Sequence, residues 1–213
     1  MGVIKRGILG GFSGRVANVI GASWKGIAYM RAQPLSVSNP RTVAQTANRV
    51  RFATAGELGR YFVNNLFPLN WNSRAQRMSG YNLFIKENVA SIVDWDNTNW
   101  ANVKMVLGDV PEVAITNVVA SKSSGVVEVE WDKTSIDSYF SGPAKSYAST
   151  VIKKLKRADV PVSGTSYLSD GDLSFPLDAD LGVGDEFEFY LMFFDEASDT
   201  WSASKHVTVT VQS

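Results

Sequence analysis

The chain has 213 residues, 45% hydrophobic and 11% aromatic, which is ample for a packed core, and its 21 basic and 21 acidic residues balance to a formal net charge of zero. The lack of cysteine excludes a disulfide framework, a thiolate metal site and a cysteine nucleophile, and a single histidine, His206, argues against transition-metal chemistry. No stretch approaches the roughly 18 consecutive apolar residues of a membrane helix.

The zero balance hides a dipole. Residues 1–90 hold twelve Lys/Arg against Glu57 and Glu87, a formal +10, and the remaining 123 residues carry the compensating −10. Such asymmetry points to one part that faces a polyanion or an acidic partner and another that does not.

At the start, MGVIKRGILGGFSG has the positive charge of a signal peptide but an apolar segment of about four residues, broken by glycines, so the expectation is cytoplasmic synthesis without Sec export. The sixth position lacks the Ser/Thr that myristoylation prefers. Gly7, Gly10, Gly11 and Gly14 allow tight turns or close backbone approach. They match neither G-x-G-x-x-G nor G-x-x-x-x-G-K-[ST], and a strand, not a helix, follows them. Gly21-Ala-Ser-Trp-Lys25 lacks the last glycine of a nucleophile elbow.

Val16–Trp24 and Ile27–Arg31 read as two strands of a hairpin turning at Lys25-Gly26. One face shows Val16, Asn18, Ile20 and Trp24, joined across the turn by Ile27, Tyr29 and Arg31. After Pro34, Asn39-Pro40 predicts a helix start, with asparagine as cap and proline in the first turn. Val43, Ala47, Val50, Thr54, Leu58 and Tyr61 then recur at helical spacing, leaving Arg41, Arg49 and Arg60 on the outer side and Arg51 at the edge of the stripe. Gly56 and Gly59 weaken the last turns, and Pro68 closes the region. A second helix is expected from Asn72-Ser73 or from Ser79, with Ala75, Met78, Ile85, Val89 and Ile92 as its stripe and Asn82 inside it.

Trp95, Trp100 and the polar residues around them suggest a joint at 94–102, dividing a docking region at 1–95 from a second domain at 102–213. Strands are expected at 103–107, 112–120, 125–131, 148–156, 186–194 and 205–212, separated by Gly, Asp, Ser and Pro clusters. The fold class is therefore α+β: an N-terminal β-hairpin plus two helices, followed by an antiparallel, immunoglobulin-like β-sandwich of about seven strands. In the last strand Val207, Val209 and Val211 point to the core and His206 to solvent, and Trp131 is a core tryptophan. The basic run Val151–Arg157 reads as an edge strand protected by lysines. Asp178–Asp185 departs from calcium-loop spacing at its fifth and sixth positions.

Neither catalytic nor cofactor-binding nor metal residues are assigned. The interaction set is Arg15, Trp24, Lys25, Tyr29, Arg31, Arg41, Arg49, Arg51 and Arg60. It suits other protein subunits in a homo- or hetero-oligomer, or nucleic acid through phosphate contacts and stacking. A third alternative, an adhesive or carbohydrate-binding module, would use Trp131, Tyr139 or Trp201. No membrane span and no small-molecule substrate are expected.

The segments GGFSGRVANVIGASWKGIAYMR, NPRTVAQTANRVRF and MSGYNLFIKENV resemble an uncharacterised family of about 210 residues from Bacteroidota and their phages. The resemblance is carried by Gly14, Val16, Gly21, Trp24, Lys25, Gly26, Arg31, Pro34, Asn39, Pro40, Gln45, Arg49, Phe52, Asn82 and Phe84, within residues 5–92. The family carries no activity to transfer; the resemblance, the lack of a catalytic constellation and the charge split together give the expectation of a non-enzymatic structural or interaction protein, a phage virion component or a related assembly subunit. The second half is similar in general character to immunoglobulin-like and fibronectin type III modules.

Overall fold

A computed structural model describes residues 3–4, 11–36 and 38–213. The glycine turns expected at Gly7 and Gly10 lie outside these residues. The chain divides into two compact units, Met1–Thr46 and Ala47–Ser213.

The first unit is an antiparallel sheet of β1 (Val3–Ile4), β2 (Phe12–Val16), β3 (Val19–Trp24) and β4 (Ile27–Ala32), in that order. The β3–β4 hairpin turns at Lys25-Gly26 as expected. Both residues have positive φ, 46° and 82°, as a type I′ turn requires to match the twist of the strands. The long strand expected from Val16 is instead cut by a turn at Ala17-Asn18, which pairs Val16 with Val19. Ala17 has φ 49°, and an alanine gives no sequence signal for that conformation. Gly21 is fixed by close approach: a Cβ there would stand 2.3 Å from the Phe12 carbonyl oxygen and 2.6 Å from its ring.

Helix α1 (Val43–Phe62) starts three residues later than Asn39-Pro40 suggested. Its first turn is closed by a reciprocal pair: the Gln45 N–H donates to Thr42 Oγ1 at 3.3 Å, and the Thr42 N–H donates to Gln45 Oε1 at 3.4 Å. The buried stripe is Thr54, Ala55, Gly56, Leu58, Gly59 and Phe62, so Phe62 replaces the expected Tyr61. Val43, Ala47 and Val50 are exposed, and the first turns of α1 bury nothing.

In the second unit, Pro68 does not end the helical region. It sits in the first turn of a wide helical segment, Phe67–Trp71, which runs into α2 (Asn72–Arg74). Helix α3 (Gly80–Asn88) follows the break, capped by Ser79, whose Oγ accepts from the Asn82 N–H at 3.2 Å. Both starts suggested by the sequence are thus used. The buried face of α3 is Gly80, Phe84 and Asn88, while Asn82 is exposed. Gly56 and Gly59 acquire a reason, because Cβ atoms there would come within 2.9 Å of the Tyr81 hydroxyl and 3.2 Å of its ring. That close crossing lets Tyr81 donate to the Gly56 carbonyl at 2.9 Å.

The remaining strands are β5 (Ile115–Ser121), β6 (Val126–Trp131), β7 (Lys145–Ile152), β8 (Arg157–Tyr167), β9 (Asp172–Pro176), β10 (Glu186–Asp195), β11 (Thr200–Trp201) and β12 (Lys205–Gln212). They form one sheet in the order β8-β7-β10-β12-β5-β6-β9, with β11 beside β10. The expected antiparallel sandwich is corrected to a mixed, nearly closed sheet: β12 and β5 run parallel, and the end strands β8 and β9 approach each other.

Strand β10 organises the unit. Its sequence, EFEFYLMFFD, is buried on both faces after Glu186. Phe187, Phe189, Leu191 and Phe193 face the interior of the sheet with Val127, Val129, Trp131 and Val209. Tyr190, Met192 and Phe194 face the other way, into a core shared with Leu58, Phe62, Trp71, Phe84, Trp95 and Trp100. At about 1.5–3 kcal/mol for each large apolar side chain removed from water, this strand is a major contributor to the fold. The tryptophans assigned to a joint at 94–102 therefore lie inside the core.

Segment 103–107 alternates like a strand but pairs with side chains. Asn88 donates to the Lys104 carbonyl at 3.0 Å and accepts from its N–H at 2.7 Å. Asn70 does the same for Leu107, at 3.2 and 2.8 Å. Trp71 Nε1 donates to the Met105 carbonyl at 2.8 Å. Two buried carboxamides thus replace a neighbouring strand. The basic run Val151–Arg157 is not an edge strand either. Strand β7 is interior and ends at Ile152, and Lys153–Leu155 form a tight turn between β7 and β8.

Candidate interaction surface

The register of the first unit decides which side chains share a face. Arg15 pairs with Ile20, Ile20 with Arg31, Ala22 with Tyr29, and Trp24 with Ile27. Directly paired residues point to the same side of an antiparallel sheet. One face therefore carries Trp24, Ile27 and Tyr29, with Arg15 and Arg31 flanking Ile20 at its other end. Trp24 is 52% exposed, Ile27 46% and Tyr29 47%. The reverse face shows Met30, 70% exposed, and Val19. Among the described residues, neither hydrophobic core draws a side chain from this sheet. Among the described residues strand β4 is also the last strand of the sheet, and its side chains are exposed.

Four residues of the predicted set, Arg15, Trp24, Tyr29 and Arg31, are thereby brought to one face. Lys25 stands at the turn beside them. Arg41 is exposed ahead of α1, and Arg49 and Arg60 are exposed along it. Arg51 is half-buried, as its place at the edge of the stripe suggested. Residues 1–46 hold six Lys/Arg and no acid.

The other candidates resolve differently. Trp131 and Trp201 are buried, which corrects the expectation that they offer stacking faces to a sugar; only Tyr139 is exposed. Trp131 packs edge-on against Phe193 and donates to the Leu168 carbonyl at 2.9 Å, as a core tryptophan. Asp178 and Asp180 are taken up by Arg157, and Asp185 by Lys154 at 2.9 Å.

His206 is not on a solvated face. It lies opposite the valines of β12, as the alternation requires, but on the side where Tyr190 and the Trp100 turn pack, and its side chain is 15% exposed. Its Nε2 donates to Glu188 Oε2 at 2.7 Å and its ring lies 5.0 Å from that of Tyr190. Glu188 is 3% exposed and also accepts from Lys153 Nζ and Thr208 Oγ1, each at 2.7 Å. Burial pushes its carboxyl up, but the bonds from His206, Lys153 and Thr208 and the Lys153 charge outweigh it and hold the pKa at about 2. With Glu188 ionised and accepting only, this is a closed ion cluster tying β10, β12 and the β7–β8 turn. No cue in the sequence linked His206 to Glu188, because their pairing depends on the β10–β12 register.

A cavity of about 80 Å³ opens at the seam between β8 and β9, lined by Thr150, Asp159, Pro161, Phe175, Pro176 and Leu181. Among the described residues no helix is long and apolar enough to cross a membrane.

These features define an α+β protein in which helices back a curved sheet, preceded in the chain by a small basic sheet. The chain belongs to DUF6266, a family of unknown function, whose sequence profile matches residues 11–207 and so includes the β-rich half. No curated protein sequence matches it. Among solved structures it is distantly similar to the fibronectin type III domain of human collagen alpha-1(XX) chain, at 13% identity and TM-score 0.35, over 51% of this chain and 91% of that one. It is also similar to the FN1-FN3 domains of chicken CNTN1, at 14% identity and TM-score 0.37, over 50% of this chain and 36% of that one. A third likeness is to a beta-1,2-glucanase from Parabacteroides distasonis, at 11% identity and TM-score 0.33, over 51% of this chain and 14% of that one.

Proposed function

We propose that this chain is a non-enzymatic structural or interaction protein, an assembly subunit that docks through its basic N-terminal sheet. The observation that carries this reading is the face formed by Trp24, Ile27 and Tyr29 with Arg15 and Arg31, exposed and drawn into neither core. Aromatic residues, Met and Arg are the types enriched where proteins meet, and acids, here lacking through residue 46, are depleted there. Docking would also cover the edge of β4. The assembly we have in mind is a phage particle, on the strength of the sequence resemblance.

The test compares the wild-type chain with Trp24→Ser/Tyr29→Ser in sedimentation velocity and in mass spectrometry of purified particles. Association of the wild type that the double variant loses, with its melting transition kept, supports docking. Equal behaviour of the two proteins, with neither recovered in particles, rejects it. A second reading, nucleic-acid binding, draws on the same two aromatics set among arginines. It requires a DNA or RNA mobility shift that falls steeply with salt.

A further inference from the structure

We infer that the occupant of the N-terminal sheet is a second copy of this chain, bound head to tail, with the first unit of one subunit on the acidic strand face of the next subunit's second unit. This rests on the docking reading above and names the partner. Charge selects it. The first unit carries six cations and no acid, so two such units facing each other in a two-fold dimer would repel. The second unit holds all 21 acids of the chain.

Part of that charge lies on one surface. The outward residues of β6 are Glu128 and Glu130, and Glu130 stands directly opposite Asp172 of β9. On β5 the residues opposite them are Val119 and Asn117. All three acids are exposed, none is in an ion pair with another described residue, and β5, β6 and β9 contain no Lys or Arg. Like charges directly opposite each other on a sheet are destabilising until a counter-charge arrives. Arg15 and Arg31, projecting from one face beside Ile20, supply it. The apolar ground between them and the turn, from Ala22 to Trp24 and Ile27, suits a protein surface better than a phosphate backbone, whose interfaces are more polar.

A head-to-tail contact uses two different surfaces, which permits a decisive experiment. One variant breaks the head (Arg15→Glu/Arg31→Glu), and another breaks the tail (Glu128→Lys/Glu130→Lys/Asp172→Lys). Melting curves establish that both fold. In sedimentation velocity the wild type should form concentration-dependent oligomers that weaken about tenfold or more at high salt. Each variant alone should be monomeric, and their equimolar mixture should give a 1:1 dimer and nothing larger, through the one intact head and the one intact tail.

A tail variant that still dimerises by itself means two-fold contact between first units and overturns the proposal. So does a wild type that stays monomeric at 100 times the concentration of the assay, or a mixture that does not combine. A monomeric wild type that enters particles through Trp24 and Tyr29 leaves docking standing with another partner. A monomeric wild type that shifts nucleic acid overturns both.

Discussion

Asn70 and Asn88 show how one side chain can stand in for a strand. Each is fully buried and spends its carboxamide on the N–H and C=O of one residue in 103–107. Replacing Asn70 by leucine would leave both polar groups of Leu107 without a partner, at about 1–3 kcal/mol each. We expect Asn70→Leu to lower the melting temperature by roughly 5–15 °C, measured by calorimetry, given about 2–4 °C per kcal/mol for a chain of this size. Glu188 makes a pH-dependent prediction. Its folded pKa of about 2 lies below the 4.5 of an unperturbed group, so its contribution is present above pH 4.5 and is lost as the pH falls towards 2. Glu188→Gln should reduce stability at pH 7 by roughly 2–4 kcal/mol. It should also flatten the acid limb of a plot of denaturation midpoint against pH between 4.5 and 2. An unchanged limb would mean that the Lys153 and His206 bonds do not hold the carboxylate.

Among elements, those whose cues are local were legible before folding. Lys25-Gly26 announces a tight turn by length and by glycine, and Gly26→Val, forced to φ near 82°, should weaken the hairpin by roughly 1–2 kcal/mol. Backbone amide exchange across β3 and β4 would report it. The amphipathic repeat of α1 was likewise readable, but the repeat does not say where burial begins, and its buried residues run only from Thr54 onward. Strands β8, β9 and β11 were missed because alternation in β8 is interrupted by Pro161, Ser163 and Gly164, and the other two are short. Segment 103–107 had the alternation of a strand without a neighbouring strand. Of the interaction surface, the residue types could be named from the sequence. Their convergence could not, since Arg15 reaches the face of Tyr29 only through the Ala17-Asn18 turn, which Asn18 alone marks within a run of strand-forming residues.

For the whole molecule, both hydrophobic cores are built, among the described residues, from the chain after Ala47. A chain trimmed to 47–213 should keep a cooperative thermal transition within a few degrees of the full-length one, and lose association. Loss of the transition would mean that the first unit supports the core. The two faces of β10 also set an order of events during synthesis. Leu58, Phe62 and Phe84 leave the ribosome early and pack with Trp71, but their core is completed only when Tyr190, Met192 and Phe194 follow. At roughly 5–20 residues per second, the stretch from α1 to the end of β10 takes about 7 to 27 s to be made. Throughout that interval the nascent chain carries the apolar faces of its helices and of its basic sheet together. Chaperone engagement should therefore peak on chains stalled before residue 186 and fall once β10 has emerged.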